Sequence, residues 1–251
     1  MDELLYSEVQ NTKYKKSGRY ETLFCRKEEK RLRDQIIQQI KENKIIVIVR
    51  GIYGIDREKL IEALWKGGIR LVEFTFDQKS PEKWEETCCN IAETVARYGG
   101  KFLCGAGTVM TLEQLKMAKT AGANYIISPD MNPQVIQETV KLGMVSIPGA
   151  FSATEIAEAA KNGADYVKVF PAVSLGPEYL KALKGPLNYI PLMVVGGISY
   201  KNIDAYMKAG AAGAGIGGEI ANKKWVESGE FEKITEAARL TIEKLHGGTH
   251  E

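Results

Sequence analysis

Histidine is nearly absent. The 251-residue chain has two, His246 and His250, both among its last six positions. A Ser/His/Asp triad, a Cys/His pair and a histidine-built zinc site each need an imidazole inside a folded core. Hydrolase triads and zinc-dependent aldolases are therefore disfavoured, and no metal site is expected. Cysteine is scarce too: Cys25, the adjacent Cys88 and Cys89, and Cys104 make four, none in CxxC spacing, so they read as reduced thiols. Long apolar runs are missing, since none approaches the roughly 18 residues that a membrane span needs. The polar, charged start does not resemble a signal peptide. A dominant charge is also lacking: 34 basic residues against 32 acidic ones leave a net charge of +2. No overall field would draw nucleic acid or an anionic membrane. The expectation is a cytoplasmic enzyme or binding protein with a small-molecule partner, no nucleic acid and no membrane.

What is present is enough for a sizeable core, with 44% hydrophobic and 26% charged residues. Length alone suggests about 1.7 domains at roughly 150 residues each, but single α/β barrels routinely fill 200 to 250. Residues 1–33 are poor in aliphatic side chains and rich in Lys, Arg, Glu, Tyr and Ser, which reads as a polar N-terminal extension ahead of a domain over 34–251. Whether that extension docks on the body or on a neighbouring subunit, or stays mobile, is open at this level. From Leu32 to Lys41 the spacing of Ile36, Ile37 and Ile40 predicts a short helix leading into the body.

Thereafter one unit repeats: a short β-branched run, a turn, and a helix-period segment closing on glycine. Eight such runs can be read: Ile45–Arg50, Leu71–Phe76, Phe102–Gly105, Tyr125–Ser128, Val145–Pro148, Tyr166–Phe170, Leu192–Val195 and Ala214–Gly217. Helix starts are expected at Ser80-Pro81 and at two capping boxes, Thr111 with Gln114 and Ser152 with Glu155. Stops are expected at Gly67-Gly68, Gly122, Gly143, Gly163 and Gly210. Alternation of this kind implies parallel strands with right-handed crossovers, and eight of them imply an α/β fold closed into a (β/α)8 barrel. An open doubly wound sheet is the alternative, but the first strand lacks the GxGxxG turn that usually accompanies it.

In a barrel the chemistry sits where strands run out into βα loops. Lys168 stands out in Asp165-Tyr-Val-Lys-Val-Phe-Pro171, where strand alternation puts Tyr166, Lys168 and Phe170 on one face and the valines on the other. Pointing inward, its ammonium would be desolvated and a nucleophilic amine would become available near neutral pH. Glu73, in Leu71-Val-Glu-Phe-Thr-Phe76, is a second inward charge. Strands two and six face each other across an eight-stranded barrel, so a small substrate fits between the two. A carboxylate in an apolar site suits proton transfer. A lysine snorkelling to its strand end, or a structural Lys–Glu pair, is the alternative reading.

Three further elements point to the same end of the barrel. In Gly105-Ala-Gly-Thr-Val109, small residues would let a ligand approach the backbone and Thr108 would hydrogen-bond it. Arg50 ends the first strand, where its guanidinium would grip a carboxylate or simply be solvated. Gly196-Gly197 and Gly217-Gly218 follow strands seven and eight, the recurrent place for an anion in this fold.

With these residues in place the sequence resembles the class I aldolases that cleave 2-keto-3-deoxy-6-phosphogluconate and 4-hydroxy-2-oxoglutarate. The resemblance runs from about Ile45 to Ile220 through VEFTF around Glu73, GAGTV around Thr108, ISP ending at Pro129, IPG at Ile147–Gly149, VKVFPA around Lys168, GGIS from Gly196 and IGG ending at Gly218. It implies a homotrimeric barrel lyase that needs no cofactor beyond an imine on Lys168 and yields pyruvate and an aldehyde. Glu73 would move protons, and Thr108 and Arg50 would hold the pyruvyl carboxylate. Pro129 and Phe170 would contact substrate, and Gly196, Gly197, Gly217 and Gly218 would bind the distal phosphate. The chain departs from the family pattern at Asp77, where many members have arginine, at Val194-Val195, where many have Pro-Thr, and at Glu219, where serine is usual. A carboxylate beside the glycines would oppose a phosphate. Alternatives are therefore an aldolase for an unphosphorylated 2-keto-3-deoxy acid, a catalytically weak sugar-acid binding barrel, and a phosphate-binding barrel isomerase.

Overall fold

The computed structural model describes residues 28, 30–245 and 247. Both histidines, Cys25 and the extension expected over 1–33, apart from 28 and 30–33, lie outside the described residues. Among the described residues the body is built from strands β1 (Ile45–Val49), β2 (Leu71–Thr75), β3 (Leu103–Gly107), β4 (Tyr125–Ile127), β5 (Val145–Ile147), β6 (Gly149–Ala150), β7 (Val167–Val169), β8 (Leu192–Val195) and β9 (Gly213–Ile216). Every pairing is parallel, in the order β5-β4-β3-β2-β1-β9-β8-β7-β6. The two ends of that order, β5 and β6, are one strand interrupted at Pro148, whose ring nitrogen has no hydrogen to give the ladder. Pro148 still accepts the Lys168 N–H at 2.8 Å. The sheet thus closes into a (β/α)8 barrel.

Strand alternation divides the apolar residues into two sets. Val47, Val72, Phe74, Val167 and Val169 pack outward under the helices, while Ile46, Leu71, Leu103, Tyr125, Val145, Tyr166 and Met193 fill the barrel interior. The helix over residues 30–43 (α1) runs through the boundary expected between 33 and 34 and adds Ile36 and Ile40 to the interior set. It stops the end of the barrel opposite the βα loops. Burying one such isoleucine contributes about 1.5–3 kcal/mol. The Tyr166 hydroxyl donates to the Ile37 carbonyl at 3.1 Å, and Arg33 holds Asp165 at 2.7 Å.

The outer ring consists of α2 (Gly54–Lys66), α3 (Trp84–Tyr98), α4 (Leu112–Thr120), α5 (Pro133–Lys141), α6 (Ala153–Lys161), α7 (Gly176–Leu183), α8 (Ile203–Lys208), α9 (Lys223–Glu227) and α10 (Phe231–Leu245). Both expected capping boxes form, at Thr111/Gln114 and Ser152/Glu155. Ser80 does not cap: Pro81 opens a 3-10 turn over Pro81–Lys83, and α3 starts only at Trp84. The last helix closes the ring on the first side, where a Cβ on Gly67 would stand 2.5 Å from that of Ala238.

Candidate active site

Lys168 lies mid-strand in β7 and Glu73 mid-strand in β2, and alternation turns both inward. Lys168 keeps 7% of its surface and Glu73 2%. Above them opens a cavity of about 930 Å³ at the C-terminal ends of the strands. All ten residues expected at the site line it: Arg50, Glu73, Thr108, Pro129, Lys168, Phe170, Gly196, Gly197, Gly217 and Gly218. The three departures, Asp77, Val195 and Glu219, line it as well. Sequence reading missed Tyr53, Lys83, Ile198 and Lys223, which also line the cavity. They sit in loops or first helical turns, where no strand alternation predicts direction.

Burial sets the chemistry of the pair. It pushes the Lys168 amine below its ordinary value, with Arg50 pushing the same way and Glu73 pulling partly back. It pushes the Glu73 carboxyl up, against the pull of Lys168 and Arg50. Each group is moved toward its neutral form, which for Lys168 is the nucleophile. Among the described residues neither group has a salt-bridge partner within 4.0 Å, and Glu73 Oε2 is buried without a hydrogen-bond partner. A snorkelling lysine and a stabilising ion pair are both at odds with this geometry. Lys168 Nζ instead lies over the Phe170 ring, 4.9 Å from its centroid.

The small residues of β3 serve the protein's own side chains. A Cβ on Gly105 would fall 2.0 Å from the Tyr125 ring, and one on Gly107 would fall 2.6 Å from Glu73 Oε1. Tyr125, expected only as the start of a strand, fills the space below Glu73 with its ring and donates its hydroxyl to the Val72 carbonyl at 2.6 Å. At Gly105 and Gly107 the space expected for a ligand is taken by these side chains; Thr108, beyond the strand, adopts a left-handed φ of 57° and lines the cavity. Gly196 and Gly197 also have positive φ, 93° and 75°, and Cβ atoms there would meet Phe170 at 3.2 Å and Val173 at 2.6 Å. Gly217 and Gly218 are open: the nearest atom to a Cβ on Gly217 is 3.9 Å away, and one on Gly218 would meet nothing within 4 Å.

A closed parallel barrel with a desolvated amine and an unpartnered carboxyl facing one cavity defines a barrel enzyme site built for carbonyl chemistry. Residues 36–237 match the family "KDPG and KHG aldolase". The 2-dehydro-3-deoxy-6-phosphogalactonate aldolase of Escherichia coli is 37% identical over 177 residues, 70% of this chain and 83% of that protein. The 2-dehydro-3-deoxy-phosphogluconate aldolase of Haemophilus influenzae is 30% identical over 83% of this chain and 96% of its own length. A crystal structure of KDPG aldolase from Legionella pneumophila, with pyruvate captured as a covalent carbinolamine, superposes with a TM-score of 0.71 at 28% identity, covering 79% of this chain and 94% of that one. The chain belongs to the KDPG and KHG aldolase family and is a carbon–carbon lyase.

Proposed function

We propose that this protein is a class I aldolase that cleaves a 2-keto-3-deoxy sugar acid to pyruvate and an aldehyde, with Lys168 as the imine-forming amine and Glu73 as the proton carrier. One observation carries the reading: a buried lysine, held toward its neutral form, shares a cavity with a buried glutamate whose Oε2 has no partner.

The neutral Lys168 amine attacks C2 of the keto acid, and proton transfer gives a carbinolamine. Loss of its hydroxyl as water leaves a protonated imine. Glu73, raised toward the useful range, supplies and recovers the protons of these steps. The C4 hydroxyl then gives its proton to the Glu73 carboxylate, directly or through one water. The C3–C4 electron pair moves to C3, the aldehyde leaves, and the imine becomes an enamine. Protonation at C3 and hydrolysis release pyruvate and restore Lys168. Arg50 and Thr108 hold the carboxylate, Pro129 and Phe170 wall the reacting carbons, and the distal end of the substrate lies against the backbone of Gly196, Gly197, Gly217 and Gly218, with open space at the last two.

The same proposal includes a homotrimer acting in the cytoplasm, without a cofactor and without nucleic-acid or membrane partners. No helix among the described residues is long and apolar enough to cross a membrane. It also includes the division into an extension over 1–33 and a barrel domain over 34–251. One observation favours a narrower reading: Glu219 lines the cavity next to Gly217 and Gly218, so a distal end without phosphate would be better accommodated there.

The test is pyruvate release, coupled to its reduction, from 2-keto-3-deoxy-6-phosphogluconate, its galactonate epimer, the unphosphorylated acids and 4-hydroxy-2-oxoglutarate. Turnover of at least one, abolished in Lys168→Ala, is expected. Pyruvate release undiminished by that substitution would overturn the assignment.

A further inference from the structure

Thr108 is held in its left-handed conformation from outside its own strand. A β-branched residue rarely adopts that conformation without support. Gln114, wholly buried in the first turn of α4, uses Oε1 to accept the N–H groups of Met110 at 2.8 Å and Thr111 at 3.3 Å. Its Nε2 donates to Oε1 of Gln78 at 3.0 Å, and Gln78 Nε2 donates to the Thr108 carbonyl at 2.8 Å. The two amides run in one direction. Turning Gln114 over would set its NH2 against two N–H groups, and turning Gln78 over would set its oxygen against the Thr108 carbonyl.

The relay is anchored at both ends. Gln78 follows the strand that carries Glu73, on a turn in which Asp77 Oδ1 accepts the Lys79 N–H at 2.9 Å and the Asp77 carbonyl accepts Trp84 Nε1 at 2.8 Å. Beyond Thr108, Val109 donates its N–H to Ile127 at 3.2 Å and accepts the Ser128 hydroxyl at 2.6 Å. The loop after Glu73 and the loop after β3 are thus locked together through two glutamine side chains. A helix cap alone needs only the contacts of Gln114 to Met110 and Thr111.

We propose that Gln78 and Gln114 are positioning residues for the 2-keto acid, acting through the Thr108 carbonyl to keep Thr108 on the cavity wall. The inference rests on the reading that this cavity binds such an acid.

Two substitutions in the full-length protein test it, Gln114→Glu and Gln78→Glu. Glutamate is the usual partner in a capping box, so Gln114→Glu preserves the helix start but has no N–H to give Gln78. Gln78→Glu still accepts from Gln114 but sets a carboxylate oxygen against the Thr108 carbonyl. The readout is the pyruvate concentration that gives half-maximal trapping on Lys168 with borohydride, alongside the maximal extent of trapping. In both variants the half-saturating concentration is expected to rise about fivefold to tenfold, the loss of one hydrogen bond, with the maximal extent retained and each variant still folded at the assay temperature.

A helix-capping role alone would leave Gln114→Glu indistinguishable from the parent and so overturns the inference. A crystal structure of Gln78→Glu separates the relay from the function: Thr108 is expected to leave its left-handed conformation. Should it stay, the relay fails whether or not pyruvate is trapped. Should it move while the parent protein traps no pyruvate, the proposed function is what fails.

Discussion

Gly107, paired with Thr75 across β3 and β2, gives Glu73 its room: a Cβ at 107 would stand 2.6 Å from Oε1 and 2.8 Å from Cδ of the carboxyl. A glycine here leaves the inward carboxyl of the neighbouring strand its place. Gly107→Ala is expected to push Glu73 off its line to the substrate, lowering kcat/KM about 10²-fold. Stability should fall by about 1–3 kcal/mol, the ordinary cost of overpacking. Steady-state kinetics and urea unfolding measure the two effects, and a variant with parental kcat/KM would show that Glu73 does not depend on this space.

Glu73 also makes stability depend on pH. Burial holds its carboxyl above the ordinary value of 4.5, against the pull of Lys168 and Arg50. The folded protein therefore binds this proton more tightly than the unfolded chain. The stability that the group contributes is full below its unfolded value and is lost as pH rises through the folded one. Glu73→Gln never has to bury a charge. It is expected to match the parent near pH 4 and to exceed it near pH 8, while losing turnover. Thermal unfolding at both pH values checks this, and a difference that does not grow with pH contradicts it.

Much of this architecture is legible in the order of residues, because strand alternation and helix capping are local. Lys168 and Glu73 could be placed inside a barrel from two short apolar runs, and Thr111, Gln114, Ser152 and Glu155 mark their helix starts directly. The missing parts are relationships between distant segments. Nothing around Gly105 announces that the Tyr125 ring, twenty positions on, takes its side-chain space. Nothing in residues 30–43 announces that Ile36 and Ile40 stop the barrel. Gln114 reads as a cap from its spacing, but its second bond, to Gln78, depends on how two loops fold against each other. Lys83 and Lys223 reach the cavity from turns whose side-chain directions follow no fixed period.

Glu219 bears on substrate choice. It lines the cavity next in sequence to Gly217 and Gly218, and Lys223 lines the same cavity. Two like charges 4 Å apart repel by about 1 kcal/mol in water and more where water is excluded, so under the proposed function the Glu219 carboxylate would oppose a distal phosphate. Glu219→Gln is expected to shift the ratio of kcat/KM for phosphorylated over unphosphorylated substrate upward, about tenfold. Parallel kinetics on the two forms of one sugar acid give that ratio. An unchanged ratio would place the distal end of the substrate away from Glu219.

The most direct test of the central claim is peptide mass spectrometry after incubating the protein with pyruvate and borohydride at several pH values, with Lys168→Ala alongside. Reduction of the imine should leave a stable pyruvyl adduct on the peptide carrying Lys168, absent from the variant. Burial lowers the pKa of this amine, so its reactive neutral form is available below the range of an ordinary lysine. The rate of trapping should climb with pH until that form is complete. A folded protein that yields no adduct across the whole pH range, or one modified equally after Lys168→Ala, would contradict the account.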